Sequence, residues 1–358
     1  MHVGVEASRL ARESRGIGRY VRALLPELAA ADAALRVTCF AKDRDDAAAL
    51  TAALAALPFL EGRCAVQPLS ALGSVRTDLT WFPWNVVRPE APSGPVVVTT
   101  HDIVPVALPD PRWHAVRTRW KWRRLYQRTV ARATRILADS AFTRDELVRT
   151  LGADPARVVV ALLGGDDTPT QPAYDRPAAL RQRGITRPFV LCVGADEPRK
   201  NLGMARSAVG TLRARGLAVQ LVCVGPRKRA LIDADGVLEL GFVSEQELAT
   251  LYAEAAALVM PSSYEGFGLP LLEAMHAGTP AICARAASLP EVGGDAVVYV
   301  GAHDGRALAS AIERCATDVA WRAELSARGR ARAAQFRWAE TARITLATFR
   351  DAVADGPR

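Results

Sequence analysis

Apolar residues in this chain gather in short runs of three to seven positions. Longer stretches separate the runs, and there apolar positions recur every three or four residues. Thirteen runs read as strands: His2–Glu6, Arg36–Phe40, Ala65–Gln67, Leu79–Phe82, Val96–Thr100, Arg135–Ala138 and Val158–Leu162, then Phe189–Val193, Ala218–Val224, Val237–Leu240, Ala257–Met260, Ala281–Ala284 and Val297–Val300. Helical periodicity marks Arg19–Ala31, Thr143–Leu151, Leu202–Arg215, Glu245–Ala256 and Arg306–Cys315. Strands alternate with helices and are apolar throughout, which predicts parallel sheets covered on both faces. The fold class is therefore α/β, built as two doubly wound, Rossmann-like domains. The stretch Gly164-Gly165-Asp166-Asp167-Thr168-Pro169-Thr170-Gln171-Pro172 has no apolar period and is rich in turn formers, as a linker is. The predicted organisation is a first domain over 1–168, a linker over 169–186, a second domain over 187–337 and a helix over 338–358 that packs back on the first domain.

The chain's 358 residues suit two domains, and 50% apolar with 23% charged residues is ordinary globular composition. The net charge of +8 is local. Nine Lys and Arg and no acid lie between Arg112 and Arg135, and without those nine the rest of the chain stands at −1. One basic element in an otherwise balanced chain argues against general nucleic-acid binding. Within it Arg117, Lys121, Arg124, Arg128, Arg132 and Arg135 share one side of a helix, with Trp122, Leu125, Tyr126, Thr129, Val130 and Ala133 on another. The second side is expected to face the core. The basic side is then solvated, or meets an anionic membrane or an acidic acceptor. No pair of the six cysteines has the C-x2-C spacing, and Cys39, Cys192, Cys223 and Cys283 sit in apolar runs as small hydrophobes. Reduced cysteines, no signal-like start and no apolar run near 18 residues predict a soluble cytoplasmic protein, with peripheral contact at the inner membrane face left open.

There is no phosphate loop of the G-x4-G-K-[ST] type, no G-x-S-x-G elbow and no H-E-x-x-H. The pairs Asp43/Asp45 and Asp233/Asp235 fall in turn-like settings where Asp bonds local backbone, so no metal is expected. The strongest local signal is Pro261-Ser-Ser-Tyr-Glu265-Gly-Phe-Gly-Leu-Pro270-Leu-Leu-Glu273-Ala-Met-His-Ala-Gly278. A strand runs into a glycine turn and then a helix, with Pro270 in its first turn and Gly278 just past its end. Backbone amides at such a helix start suit an anion. Two flanking carboxylates suit hydroxyls, so a sugar phosphate or nucleotide fits the combination. Alone, Glu265 reads equally as a turn residue and Glu273 as a solvated helix residue.

This string resembles the E-x7-E signature of retaining, nucleotide-sugar-dependent glycosyltransferases of family 4, which have the GT-B fold of two Rossmann-like domains facing a cleft. Further segments resemble the same family in the same order: Gly16-Ile17-Gly18-Arg19-Tyr20, Thr100-His101-Asp102-Ile103-Val104-Pro105, Asp139-Ser140-Ala141-Phe142-Thr143-Arg144, Val193-Gly194-Ala195-Asp196-Glu197-Pro198-Arg199-Lys200-Asn201-Leu202, Leu221–Gly225, Leu240-Gly241-Phe242-Val243-Ser244-Glu245, Leu251-Tyr252 and Ser288-Leu289-Pro290-Glu291-Val292.

The resemblance implies a hexosyltransferase that retains anomeric configuration, needs no metal or other cofactor, and moves a sugar from a nucleoside diphosphate to a hydroxyl on a glycan, a lipid-linked chain or a small molecule. It implies catalytic roles for His101 and Glu265, with His101 contacting the transferred sugar. It implies donor binding by Gly16, Gly18, Gly194, Arg199, Lys200, Val243, Gly266, Phe267, Gly268, Leu269 and Glu273. Glu273 would take the ribose hydroxyls, and Lys200, Arg199 and the 266–269 amides the diphosphate, whose charge a cation at a strand end must offset as the bond breaks. Taken alone, Pro198-Arg199-Lys200-Asn201 is a basic turn and His101 the structural end of a strand. Many family members carry Arg where this chain has Ala195, which leaves more to Arg199. Gly16 and Gly18 would admit a ligand close to the backbone. Closure about residues 165–186 would exclude water. The N-terminal pattern is most like the family's mannosyltransferases, so GDP-mannose is the expected donor, with UDP- or dTDP-sugars as alternatives. An epimerase on the same fold and a catalytically silent nucleotide-sugar-binding subunit are the rival classes.

Overall fold

The computed structural model describes residues 1–13, 16–55, 62–88, 94–108, 116–165, 176–226 and 236–357. The Asp233/Asp235 pair, residues 112–115 of the basic element and most of the Gly164–Pro172 stretch lie outside the described residues. The chain forms two compact units, one of residues Met1–Gly164 with Arg337–Arg358 and one of Gly165–Phe336. The second takes in a helix, Arg176–Gln182, that lies within the segment read as linker.

The first unit holds seven parallel strands: β1 (His2–Glu6), β2 (Arg36–Ala41), β3 (Cys64–Pro68), β4 (Leu79–Phe82), β5 (Val96–Thr100), β6 (Arg135–Ala138) and β7 (Val158–Val160). Their order in the sheet is β3-β2-β1-β4-β5-β6-β7. The chain thus winds outward from β1 in one direction and from β4 in the other. The inner strands are buried along nearly their whole length, as Val96–Thr100 shows. β3 is the exception, since as an edge strand it keeps Ala65, Gln67 and Pro68 exposed. The core joins Phe40, Phe82, Val98, Ile136 and Leu147 to Tyr126 and Val130 of the basic helix Val116–Arg132. That helix and the turn after it bury Tyr126, Thr129, Val130 and Ala133 and expose Lys121, Arg124 and Arg128, as the spacing predicts, while Arg132 and Arg135 on the basic side and Trp122 and Leu125 on the other are half-buried. The helix Trp338–Asp355 belongs to this unit. Its Phe349 ring packs 5.7 Å from Trp81 and its Trp338 6.0 Å from Tyr20, both tilted contacts. Thr341 Oγ1 donates to the Leu162 carbonyl at 2.6 Å.

The second unit has six parallel strands: β8 (Phe189–Val193), β9 (Gln220–Val224), β10 (Val237–Gly241), β11 (Ala257–Met260), β12 (Ala281–Ala284) and β13 (Val298–Val300). Their order is β10-β9-β8-β11-β12-β13, so the winding reverses between β8 and β11. Val190, Cys192, Leu221, Cys223, Val259 and Ile282 form its core with Leu212 and Ile312 of two covering helices. No disulfide joins any of the six cysteines, and Cys64 is the one not buried. In a doubly wound sheet the strands beside the reversal diverge at their carboxyl ends and leave a crevice there. Ligand chemistry is therefore expected after β1 and β4 in the first unit and after β8 and β11 in the second.

Candidate active site

The loops after β8 and β11 bring together residues far apart in sequence. Beyond β8, Gly194 turns with φ +132°, which side chains rarely adopt, and a Cβ there would stand 3.2 Å from Lys200 Cε, so the lysine would have to give by a few tenths of an ångström. A single turn, Pro198–Lys200, then presents its two cations. Beyond β11 comes Glu265, 6% exposed. Its Oε1 accepts from Lys200 Nζ at 2.7 Å and its Oε2 from Arg199 Nη1 at 2.8 Å. Arg199 also donates to Glu197 at 2.7 Å and to the Tyr264 carbonyl at 3.0 Å. Ser263 N returns a bond to the Arg199 carbonyl, so the two loops are laced together. Burial by itself would raise the Glu265 carboxyl, but the charges of Lys200 and Arg199, with the hydrogen bond from Lys200, hold it below the usual range. The carboxylate is ionised and matched by two cations.

The glycine turn follows. Gly268 has φ +109° and precedes the helix Leu269–Ala277, whose Pro270 stands in the first turn and whose Gly278 closes it. Gly266, Phe267 and Gly268 are buried, with Leu269 partly so. Ser288 pins this turn from the next loop by donating to the Glu265 carbonyl at 2.9 Å and the Phe267 carbonyl at 2.8 Å. Glu273, in the second turn of the helix, accepts the Tyr252 hydroxyl at 2.6 Å. Val243 is buried beside Phe242, which is 69% exposed, just before a helix whose capping box is formed by Ser244 and Glu247.

In the first unit the carboxyl edge is also polar. Glu6 at the end of β1 is 2% exposed and accepts from Arg88 Nε at 3.0 Å, while Arg88 Nη2 donates to Ser8 at 2.7 Å. His101, directly after β5, is buried. Its Nδ1 lies 2.6 Å from Asp139 Oδ2, after β6, and its Nε2 lies 2.8 Å from the Pro83 carbonyl, after β4. Its backbone N–H donates to Asn85 Oδ1 at 2.6 Å, and Asn85 holds a strained left-handed φ of 68°. The two glycines after β1 behave differently. A Cβ on Gly18 would come within 1.8 Å of the chain's own Glu13 carbonyl, whereas Gly16, at φ +58°, faces open space. Local packing is what demands a residue without a side chain at Gly18.

Residues 16, 18 and 101 thus lie in the first unit, and 194, 199, 200, 243, 265–269 and 273 in the second. Asn85 and Glu6 were not singled out by spacing or motif, and Asp139, Glu197 and Tyr252 stood inside segments that resemble the family without being given a role of their own. The available signal was positional: Glu6 and Asp139 are each a charged residue at the end of an apolar run, as His101 nearly is. Two doubly wound sheets, with clustered cations and a buried carboxylate at the second one's reversal point, define the GT-B glycosyltransferase class. Residues 14–167 match the family model "Glycosyltransferase Family 4" and residues 187–318 match "Glycosyl transferases group 1". The chain belongs to glycosyltransferase family 4 and is a glycosyltransferase. It is 32% identical to the O-antigen chain mannosyltransferase B of Escherichia coli over 280 residues, 71% of this chain and 70% of that one. It is 32% identical to a D-inositol 3-phosphate glycosyltransferase of Frankia alni over 251 residues, 63% of this chain and 61% of the relative. The fold matches that of Anabaena Alr3699/HepE in complex with UDP-glucose, with a TM-score of 0.68 at 18% identity over 98% of both chains.

Proposed function

We propose that the chain transfers a mannosyl group from GDP-mannose to a hydroxyl acceptor with retention of configuration and without a metal ion. The observation that carries this reading is the Lys200–Glu265–Arg199 cluster at the reversal point of the second sheet. Two cations there meet the electrostatic need of a departing diphosphate. In the reading, Lys200 and Arg199 take the diphosphate together with amides of the 266–269 turn, Glu273 takes the ribose hydroxyls and Glu265 orients sugar hydroxyls. The departing phosphate accepts the acceptor's proton on the face it leaves, so no second acid/base carboxylate is needed. Similarity to a mannosyltransferase supports the sugar. The UDP-glucose complex of a structural neighbour keeps UDP-sugars as the competing donors.

The exposed face of the basic helix supports peripheral contact with an anionic membrane, which would bring the enzyme to a lipid-linked acceptor at the cytoplasmic face. Trp120 on that face is 54% exposed, and the Arg124 guanidinium lies 3.7 Å over its ring, a pairing suited to an interface. Among the described residues no helix is long and apolar enough to cross a membrane.

Thermal unfolding with GDP, UDP, ADP and dTDP side by side tests the donor, because selective binding raises the transition by mass action. GDP alone should raise it. A rise with UDP or dTDP in its place overturns the donor assignment, and no rise with any of the four overturns the role of the cluster. Replacing Glu265 with Ala tests the site, with collapse of transfer and persistence of nucleotide binding as the expected pair of results.

A further inference from the structure

We infer that Asp139 is a positioning residue that holds the His101 ring protonated on both nitrogens, so that a fixed positive group, and not a base, stands at the carboxyl edge of the first sheet. The argument is one of proton counting. The partner of Nε2 is the Pro83 carbonyl, 2.8 Å away, and a carbonyl oxygen can only accept. Nε2 must therefore carry hydrogen. The partner of Nδ1 is Asp139 Oδ2 at 2.6 Å, a separation of charge-assisted type that also requires a proton between the two atoms. That proton rests on the imidazole, whose ordinary value of about 6.5 stands well above about 3.9 for an aspartate.

The surroundings agree. Burial alone would lower the ring's affinity for a proton, but Asp139, the Pro83 carbonyl and the charge of neighbouring Asp102 outweigh it and raise it. From the helix Ile17–Ala31, the Tyr20 ring meets the imidazole in a T-shaped contact with centroids 4.9 Å apart. Burial and the Asp139 charge push the Tyr20 phenol up, so it stays neutral, with its hydroxyl 3.1 Å from Thr99 Oγ1. Asp139 itself is 2% exposed, and among the described residues its Oδ1 has no hydrogen-bond partner. A buried carboxylate with one oxygen unpartnered is costly unless a cation faces the other. The ring supplies that cation.

A ring already carrying both protons cannot take one from an acceptor hydroxyl. What it offers the reaction is positive charge and a fixed shape. That consequence rests on the proposed contact of His101 with the transferred sugar, whereas the protonation state does not. The experiment is a pH titration of the full chain labelled with 15N in its histidines, with His101→Gln used to assign the ring. Just above the ordinary imidazole value of about 6.5, where an unperturbed ring is mostly singly protonated, both His101 nitrogens should still be protonated, and in Asp139→Asn only one should be. A wild-type ring with a single proton there overturns the inference, as does an Asp139→Asn ring that titrates like wild type. If Asp139→Asn does not fold, the wild-type titration decides alone. In parallel, nucleoside diphosphate release from whichever of GDP-mannose and UDP-glucose turns over should fall about tenfold or more in Asp139→Asn and recover on acidification. A merely structural loss would not recover with pH. Unchanged release in His101→Gln would remove His101 from the reacting centre and leave the spectrum to judge its charge.

Discussion

Lys200 Nζ stands 2.7 Å from Glu265 Oε1, and the side chains are only 11% and 8% exposed. Arg199, 14% exposed, holds the other oxygen at 2.8 Å. A carboxylate so placed both satisfies the cations and competes with any anion for them. Replacing Glu265 with Gln should therefore separate two effects. Stability falls by about 3–5 kcal/mol, the usual cost of breaking a buried pair from one side. A bound nucleoside diphosphate then becomes the main counter-charge, so its affinity is kept or rises while sugar transfer is lost. Calorimetric titration of Glu265→Gln and of the wild-type protein with GDP and UDP reads this directly, and weaker binding of both nucleotides to the variant would refute it.

Opposite pH signatures are expected from the two charged sites. Glu265 has a folded value below its unfolded value of about 4.3, so its contribution is complete above about 4.3 and is lost as pH falls through the lower folded value. His101 has a folded value above about 6.5, so its contribution is complete below about 6.5 and is lost as pH rises through the folded value. The melting temperature of Asp139→Asn should accordingly approach that of wild type as the solution is made alkaline, and that of Glu265→Gln as it is made acid. Scans of each variant across pH provide the check.

Tyr252→Phe removes one hydroxyl and little else. Its bond to Glu273, at 2.6 Å, is to a charged group, which makes it worth about 1.5–3 kcal/mol. Freed of that hydroxyl, Glu273 should bind ribose less selectively, giving a raised KM for the donor at nearly unchanged kcat. A fall in kcat with unchanged KM would place Glu273 elsewhere in the reaction.

Glycines of the two kinds should respond in opposite directions. Gly18→Ala must push a Cβ against the Glu13 carbonyl, whose oxygen lies 1.8 Å from its position, and backbone has to move. Gly210→Ala, within the helix Leu202–Ala214 and with nothing within 4 Å of the added methyl, should stabilise by about 0.5–1 kcal/mol. Denaturant unfolding of both variants measures the contrast.

Membrane contact through the basic helix predicts that the protein sediments with anionic vesicles and not with zwitterionic ones, and that added salt releases it. Trp120→Ala with Arg124→Ala should abolish the sedimentation without lowering the melting temperature, since Trp120 is 54% exposed.

Every strand was legible as an apolar run, because strands buried on both faces need no polar alternation to identify them. β3 extends one residue beyond the run Ala65–Gln67 at each end, and its half-exposed edge position explains why the apolar run is short. The second site was legible because Glu265, its glycine turn and Glu273 are contiguous, and local chemistry writes itself into spacing. The His101 surroundings were not. Pro83 lies 18 residues before it and Asp139 38 residues after it, on separate strands, and only the pairing of β4, β5 and β6 makes them neighbours. Gly18 was visible as a glycine, but its reason, the Glu13 carbonyl, depends on how the loop folds back.

The helix Trp338–Asp355 closes a unit whose sheet is made entirely of residues before Gly164. During synthesis the ribosome must therefore produce the whole of Gly165–Phe336 before the first unit receives its last layer. Through that interval Trp81 and Tyr20 wait without Phe349 and Trp338. The second unit, continuous in the chain, is free to fold first, so the half of the enzyme that begins earlier is the half that finishes later.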